Sequence, residues 1–210
     1  MYAGREGCVE AEIGGFIADG INAKGELIEV QTGNFGALQK KIFSFAAMKK
    51  KIKIIHPIAV TKYIEVFNTD NINISRRKSP RKGNPHDIFF ALVYAPELPL
   101  VSGVTIELAL LDVIEERVAD GKGSWRRKYV SIRNRKITAY RERITLKKPS
   151  DYLRFVPFSK KEDFTVSLLK EKAGIRANLA RKTLYVLEKI GVVQKVGKLR
   201  NAHIYRLTAK

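Results

Sequence analysis

Cysteine is nearly absent from this chain, with Cys8 alone among 210 residues. A single thiol excludes an intramolecular disulfide and a zinc site built on several cysteines, and it suits a reducing cytoplasm. Long apolar runs are missing as well. No stretch approaches the roughly 18 residues that a membrane helix needs, and the first residues lack the apolar centre of a signal peptide. The expectation is a soluble, cytoplasmic protein with no membrane partner. Acids are scarce relative to bases: 21 Asp and Glu stand against 40 Lys and Arg, a formal net charge of +19. A chain so cationic repels itself, and the partner that best balances it is a polyanion, most simply nucleic acid. An acidic protein or an anionic membrane would also balance the charge, but no long basic amphipathic helix argues for the membrane. Lysine richness from adaptation to heat comes with matching glutamate, which is lacking here. The length admits one domain with an appendage or two small domains around a real core.

What is present is organised around residues 16–31. Residues 16–22 and 26–31 read as two strands, with Ala23, Lys24 and Gly25 as the turn between them. Side chains alternate along a strand, so Leu27, Glu29 and Gln31 share one face while Ile28 and Val30 point to the other. A hairpin closed near Lys24 brings Asp19 towards Glu29. Two carboxylates converging from adjacent strands suit a hard divalent cation such as Mg²⁺ or Mn²⁺, which keeps several of its waters. The competing reading is an ordinary solvated hairpin.

At these residues the chain resembles the PD-(D/E)XK nuclease superfamily, with its restriction-endonuclease-like α/β fold. The family motif is an Asp at a strand end, a gap, and then Glu-X-Lys on the next strand. Here it reads Asp19, nine intervening residues, and Glu29-Val30-Gln31. The resemblance implies that Asp19 and Glu29 hold the metal, with the Val30 carbonyl as a further ligand. Gln31 stands where most members place lysine, which removes a cation that would stabilise the attacking hydroxide or the phosphate. Some restriction endonucleases carry Gln there, and Gln31 would then orient the water or the scissile phosphate. The family core begins with a helix, often carrying Glu, and the seven residues before Cys8 are too few for it.

Upstream of the hairpin, Cys8 to Ile13 alternates apolar and acidic residues as a half-buried strand does. Glu10 and Glu12 share a face there and offer a further carboxylate. Downstream, Asn34 caps a helix expected over 35–50, with Leu38, Ile42, Phe45 and Ala46 as its buried stripe. Gln39, Lys40 and Lys41 lie around the other side. A lysine from this helix could occupy the space left by Gln31, against the plainer reading of a solvated helix face. Gln39 with Phe43 faintly resembles the Gln-X-X-X-Tyr element of some of these nucleases. Residues 51–59 and 62–67 read as two strands, and His56 is assigned to structure rather than to the site. Residues 68–85 read as a mobile basic loop containing Arg76, Arg77 and Lys78, suited to phosphates. A short helix over 87–98 and a strongly apolar strand over 104–113 follow. Residues 121–148 hold eleven Lys or Arg and one acid, Glu142, interleaved with Trp125, Tyr129 and Tyr140. Basic residues among aromatics fit backbone contact with base stacking or groove insertion.

From 149 onward the order is helix, helix, helix, hairpin. Thr165 caps the second helix and Gly174 ends it; the third covers 176–190, closed by Gly191. Strands over 192–196 and 203–207 complete the set, which resembles the winged helix-turn-helix. By that resemblance 176–190 is the recognition helix, presenting Arg176, Asn178, Arg181 and Lys182 to duplex DNA, with Lys198 and Arg200 at the wing tip. The expected division is residues 1–120 as a nuclease-like domain, 121–148 as a basic connector or insertion, and 149–210 as a winged helix. The pairing also resembles a group of bacterial proteins that join a restriction-like domain to a C-terminal winged helix. The leading expectation is a Mg²⁺- or Mn²⁺-dependent DNA endonuclease, which by analogy would cut duplexes as a homodimer. The alternative is a non-catalytic DNA-binding or regulatory protein on the same scaffold. The Asp19/Glu29 pair favours the first; Gln31 and the short N-terminal stretch favour the second.

Overall fold

Asn22 holds the turn between the two strands on which the candidate site is built. Its side-chain oxygen accepts the backbone N–H groups of Lys24 and Glu26, each at 3.0 Å, and Gly25 takes the left-handed conformation (φ 72°) that closes the turn. This joins β2 (Phe16–Ile21) to β3 (Leu27–Val30). Before it, β1 (Cys8–Ile13) pairs antiparallel with β2 through a two-residue loop of Gly14 and Gly15. Both glycines have positive φ, the geometry a tight hairpin of matching twist requires. The computed structural model describes residues 8–208; the expected missing helix concerns residues outside that range.

β3 is short and mostly buried, and it lies parallel to β4 (Ile52–Phe67) in the register Leu27 with Ile52 through Val30 with Ile55. Parallel neighbours need a crossover, and α1 (Gln39–Ala47) supplies it. The helix expected over 35–50 is divided. Asn34 Oδ1 accepts the Gly36 N–H at 3.1 Å, a 3-10 turn runs Gly36–Leu38, and α1 begins only after it. Ile42 and Phe45 of α1, like Leu27, Ile52 and Ile54 of the strands, are fully or almost fully buried, and Phe45 stands edge-on to Phe16 at 6.1 Å. Each such side chain contributes about 1.5–3 kcal/mol.

The remaining elements are β5 (Asn73–Lys78), α2 (Ile88–Leu92), β6 (Val104–Val118), β7 (Ser131–Leu146), α3 (Val166–Lys172), α4 (Ala177–Lys189), β8 (Val193–Leu199) and β9 (Ala202–Leu207). The chain is therefore mixed α/β, with a mixed seven-stranded sheet in the order β1-β2-β3-β4-β6-β7, β5 pairing with β4, and a separate β8-β9 hairpin. Residues 52–67 form one long strand where the sequence suggests two. Pro57 has no N–H to give a ladder; it falls after the pairing with β3 ends at Ile55 and before that with β5 starts at Tyr63. The basic loop expected over 68–85 is partly strand, since Arg76, Arg77 and Lys78 sit on β5 opposite Glu65, Ile64 and Tyr63. The basic stretch 121–148 likewise holds the sixteen-residue strand β7.

The chain divides into two units. The first comprises residues 1–56, 86–108 and 145–210, the second 57–85 and 109–144. In the first unit the C-terminal elements have a core of Leu169, Leu179, Ala180, Leu184, Leu187 and Val193. α3 and α4 end alike. The N–H groups of Gly174 and Ile175 bond back to Glu171 and Lys170, and those of Gly191 and Val192 to Glu188 and Leu187. Left-handed Gly174 and Gly191 make both closures free of side-chain strain. α4 also packs against α2, where the Lys182 ammonium lies over the Tyr94 ring at 5.7 Å and the Phe90 ring at 6.0 Å.

In the second unit the acids of β6 are each met by cations. Burial alone would raise the Glu115 carboxyl, but it accepts from Arg117 at 2.6 Å and Arg135 at 3.0 Å, with Lys62 at 3.5 Å, and falls to about 2. Glu116 holds Lys136 at 2.6 Å and Arg133 at 3.8 Å. Asp112 accepts from Arg141 Nε at 2.6 Å. Much of the basic charge on β7 is thus paired with acids of β6, although Arg135, Lys136 and Arg141 themselves stay exposed.

Candidate active site

The register of β2 with β3 pairs Gly20 with Ile28 and Ile21 with Leu27. Just beyond this ladder Asp19 and Glu29 are neighbours, since Glu29 takes a bond from the Asp19 backbone and feels its charge. Asp19 is exposed and its Oδ2 accepts the Val30 N–H at 2.7 Å, so one carboxylate oxygen anchors the strands while the other has no part in that bond. Glu29 is buried, at 2% exposure. The Lys41 ammonium of α1 lies 2.6 Å from its Oε1. Burial pushes the Glu29 carboxyl above its ordinary range; the Lys41 bond and charge and a bond from the Asp19 backbone N–H oppose that rise, and the charge of Asp19 adds to it. The Glu29 carboxyl therefore keeps its proton to higher pH than an exposed glutamate does.

The sequence leaves Lys41 between a solvated helix face and the place left by Gln31. In the structure it stands against Glu29, with its side chain 16% exposed. Its ammonium also lies 5.9 Å from the centre of the Phe45 ring, so the side chain carries its charge from α1 to β3. Gln31 itself is engaged in the loop: its side-chain nitrogen donates to the Asn34 carbonyl at 2.6 Å. Its backbone carbonyl meets His56 Nδ1 at 2.6 Å, and the His56 ring stands edge-on to Phe35 at 5.5 Å. Burial pulls the His56 pKa down, so a neutral ring braces the end of β3. Val30 meets Asp19 through its N–H. Glu10 is exposed and Glu12 lies on the same strand, β1, and neither joins the pair; among the described residues no group of three or more His, Cys, Asp or Glu gathers. The oxygen donors here are the two carboxylates.

Of the basic residues expected at DNA, Arg176 sits at the N-cap of α4, and Asn178 and Arg181 lie in its first turns, with Arg181 exposed. Lys182 is half-buried against Tyr94 and Phe90. Lys198 and Arg200 are exposed at the tip of the β8–β9 hairpin. In the second unit Arg76 lies over the Tyr63 ring at 5.2 Å and 3.4 Å from Glu65, while Arg77 and Lys78 are exposed.

The fold and site define a mixed α/β protein whose sheet carries a buried carboxylate–lysine pair beside an exposed aspartate. The chain belongs to the family described as "Domain of unknown function (DUF8091)", whose pattern matches residues 1–147 and so ends one residue after β7. It is similar to a Treponema pallidum (strain Nichols) protein described as "Uncharacterized protein", at 27% identity over 128 residues, which are 61% of this chain. The aligned part is 51% of that relative, so the chain spans about half the length of the curated relative it matches. No solved structure matches the chain. Asp19, Glu29 and Lys41 lie within the family match; α4 and the β8–β9 hairpin lie beyond it. No helix among the described residues is long and apolar enough to cross a membrane.

Proposed function

We propose that this protein is a metal-dependent DNA endonuclease, with a restriction-endonuclease-like core and a C-terminal winged helix that binds duplex DNA. The observation that carries the reading is the juxtaposition of Asp19 and Glu29 across β2 and β3, with the Lys41 ammonium 2.6 Å from Glu29. An acid pair with an adjacent cation is what phosphodiester hydrolysis uses, and the lysine absent at position 31 is supplied by α1. The run β2-β3-α1-β4, with β3 and β4 parallel, is the part of the architecture that supports the core assignment. The succession of α3, α4 and the β8–β9 hairpin, with Arg176 and Arg181 exposed at the start of α4, supports the winged helix.

Asp19 and Glu29 fit a hard divalent cation, because both offer carboxylate oxygens and burial leaves Glu29 under-compensated. Mg²⁺ or Mn²⁺, when bound, supplies Lewis-acid stabilisation of a phosphoryl oxygen and a water of lowered pKa. Glu29 and Asp19 would hold it, and the Val30 N–H fixes the orientation of Asp19. Lys41 would stabilise charge developing on the scissile phosphate. Gln31 and His56 keep the end of β3 in place for that geometry.

One observation favours the second reading, a non-catalytic DNA-binding protein on this scaffold: Lys41 already offsets part of the Glu29 charge without any metal. Calorimetric titration with Mn²⁺ separates the two. The nuclease reading expects binding by the wild type, abolished in Asp19→Asn. Absence of Mn²⁺ binding by the wild type would refute it.

A further inference from the structure

Residues 119–130 link β6 to β7 within the second unit and carry Trp125, the only tryptophan of the chain. It is 71% exposed, and Tyr129 is 59% exposed. Rings of this size at such exposure contribute little to a core. The loop is nonetheless built to one shape. Gly123 N–H donates to the Tyr129 carbonyl at 2.9 Å, and the N–H groups of Arg127 and Tyr129 both donate to the Ser124 carbonyl, at 2.9 and 3.1 Å. Arg127 Nε donates to the Val130 carbonyl at 3.2 Å. A Cβ at Gly123 would come within 2.0 Å of that carbonyl oxygen, so only glycine fits. Lys128 and Tyr129 are consecutive side-chain-bearing residues in the left-handed region, at φ 54° and 61°. Backbone of that kind is rare and persists where the surroundings over-determine it.

The chemistry around the rings is cationic. The Arg126 guanidinium lies over the Trp125 ring, 5.5 Å from its centre, and Lys128 is adjacent to Tyr129. The second unit holds sixteen Lys or Arg and seven Asp or Glu, and Asp112, Glu115 and Glu116 are already matched within its strands. What this loop presents is thus two open π-faces amid an excess of positive charge. A duplex covers its base faces by stacking them on one another, so a planar ring at a loop tip finds a partner only where bases are unpaired. Side chains that wedge open a minor groove are aliphatic or Phe; an indole flanked by arginine matches stacking on splayed bases, with cations along the phosphates.

We infer that the Trp125–Tyr129 loop is a stacking platform for unpaired nucleobases, and that single-stranded DNA, or the single-stranded part of a branched substrate, is its ligand. The inference rests on the nucleic-acid partner of the function proposed above and not on its metal chemistry. The test uses the full chain in EDTA, so that no cleavage enters. An oligothymidylate of about fifteen nucleotides, within the span such stacking grooves cover, is titrated while tryptophan emission is followed. Its affinity is measured by anisotropy of a labelled oligomer. The expected result is strong quenching of Trp125 by the oligothymidylate and none by a blunt duplex or by polyglutamate. Trp125→Ala should weaken oligothymidylate binding by roughly ten- to a hundredfold, and Trp125→Phe should restore most of it. Binding with unchanged emission, equal quenching by duplex or polyglutamate, or wild-type affinity in Trp125→Ala would each overturn the inference. Failure to bind any DNA would overturn it together with the DNA reading above, whereas duplex binding without oligothymidylate binding would sink this inference alone.

Discussion

Two buried glutamates, Glu29 on β3 and Glu115 on β6, are both only 2% exposed, and their surroundings drive them in opposite directions. Glu115 is surrounded by Arg117, Arg135 and Lys62, and those bonds more than overcome its burial, taking it down to about 2. Glu29 has one cation, Lys41, and a bond from the Asp19 backbone N–H, while the Asp19 carboxylate adds like charge; burial wins, so its pKa rises. The first arrangement is complete: three cations enclose one acid and leave it no further affinity. The second leaves the carboxyl with a raised pKa, and the proposed cation site rests on that difference. In a chain of net charge +19, a buried carboxylate left under-compensated is the more informative of the two.

The largest expected effect breaks the comparison at its functional end. Lys41→Ala should lower metal-dependent nicking by roughly a hundred- to a thousandfold, as loss of a group that stabilises developing charge does. Gln31→Lys should raise the rate in that background and change it little in the wild type, where Lys41 is already in place. Equal rates for wild type and Lys41→Ala would remove Lys41 from the chemistry.

Glu115→Gln attacks the structural end. It leaves three cations around a neutral side chain and should destabilise the protein by about 3 kcal/mol in urea unfolding. The pH dependence has opposite signs at the two sites. With its folded pKa below 4.5, Glu115 contributes stability that is full above pH 4.5 and is lost as pH falls towards about 2. The Glu115→Gln penalty should therefore shrink through that window. With its folded pKa raised above 4.5, Glu29 contributes stability that is present below pH 4.5 and is lost as pH rises through the folded value. Glu29→Gln should thus gain on wild type as pH rises. Parallel pH profiles for the two variants would mean that the environments do not differ as described.

The strands and turns near the site are legible in the sequence because their signals are local. Lys24 and Gly25 mark the turn, to which the structure adds the Asn22 side chain; alternation sets Glu29 towards Asp19, and Gly174 and Gly191 mark two helix ends that the backbone bonds confirm. Lys41 is harder to assign. A lysine between Lys40 and Ile42 fits a wet helix face as well as a buried stem, and only the distance from α1 to β3 decides. β7 reads as a connector because its residues are mostly polar and strongly basic, with no sustained apolar alternation. Across the ladder, Arg135, Lys136 and Arg141 instead pair with acids of β6. Which acid meets which base depends on the register of strands more than ten residues apart, and no local pattern encodes it.

The smallest effect concerns α4. Every cation withdrawn from a phosphate should reduce the salt dependence of duplex binding by about 0.9 in log–log slope. Arg176→Ala with Arg181→Ala should therefore flatten it by about 2, and adding Lys182→Ala should change nothing more, since that ammonium is held over Tyr94 and Phe90. A further drop with Lys182→Ala would show that it leaves those rings for DNA.

The central claim, that Asp19 and Glu29 form the metal site of a nuclease, is tested most directly by following supercoiled plasmid with the wild type and Glu29→Gln in Mg²⁺ or Mn²⁺. The account predicts nicked circles from the wild type, none from Glu29→Gln, and duplex binding retained by both. Wild-type protein that binds the plasmid yet leaves it supercoiled in either metal would contradict it, as would a Glu29→Gln variant that nicks at the wild-type rate.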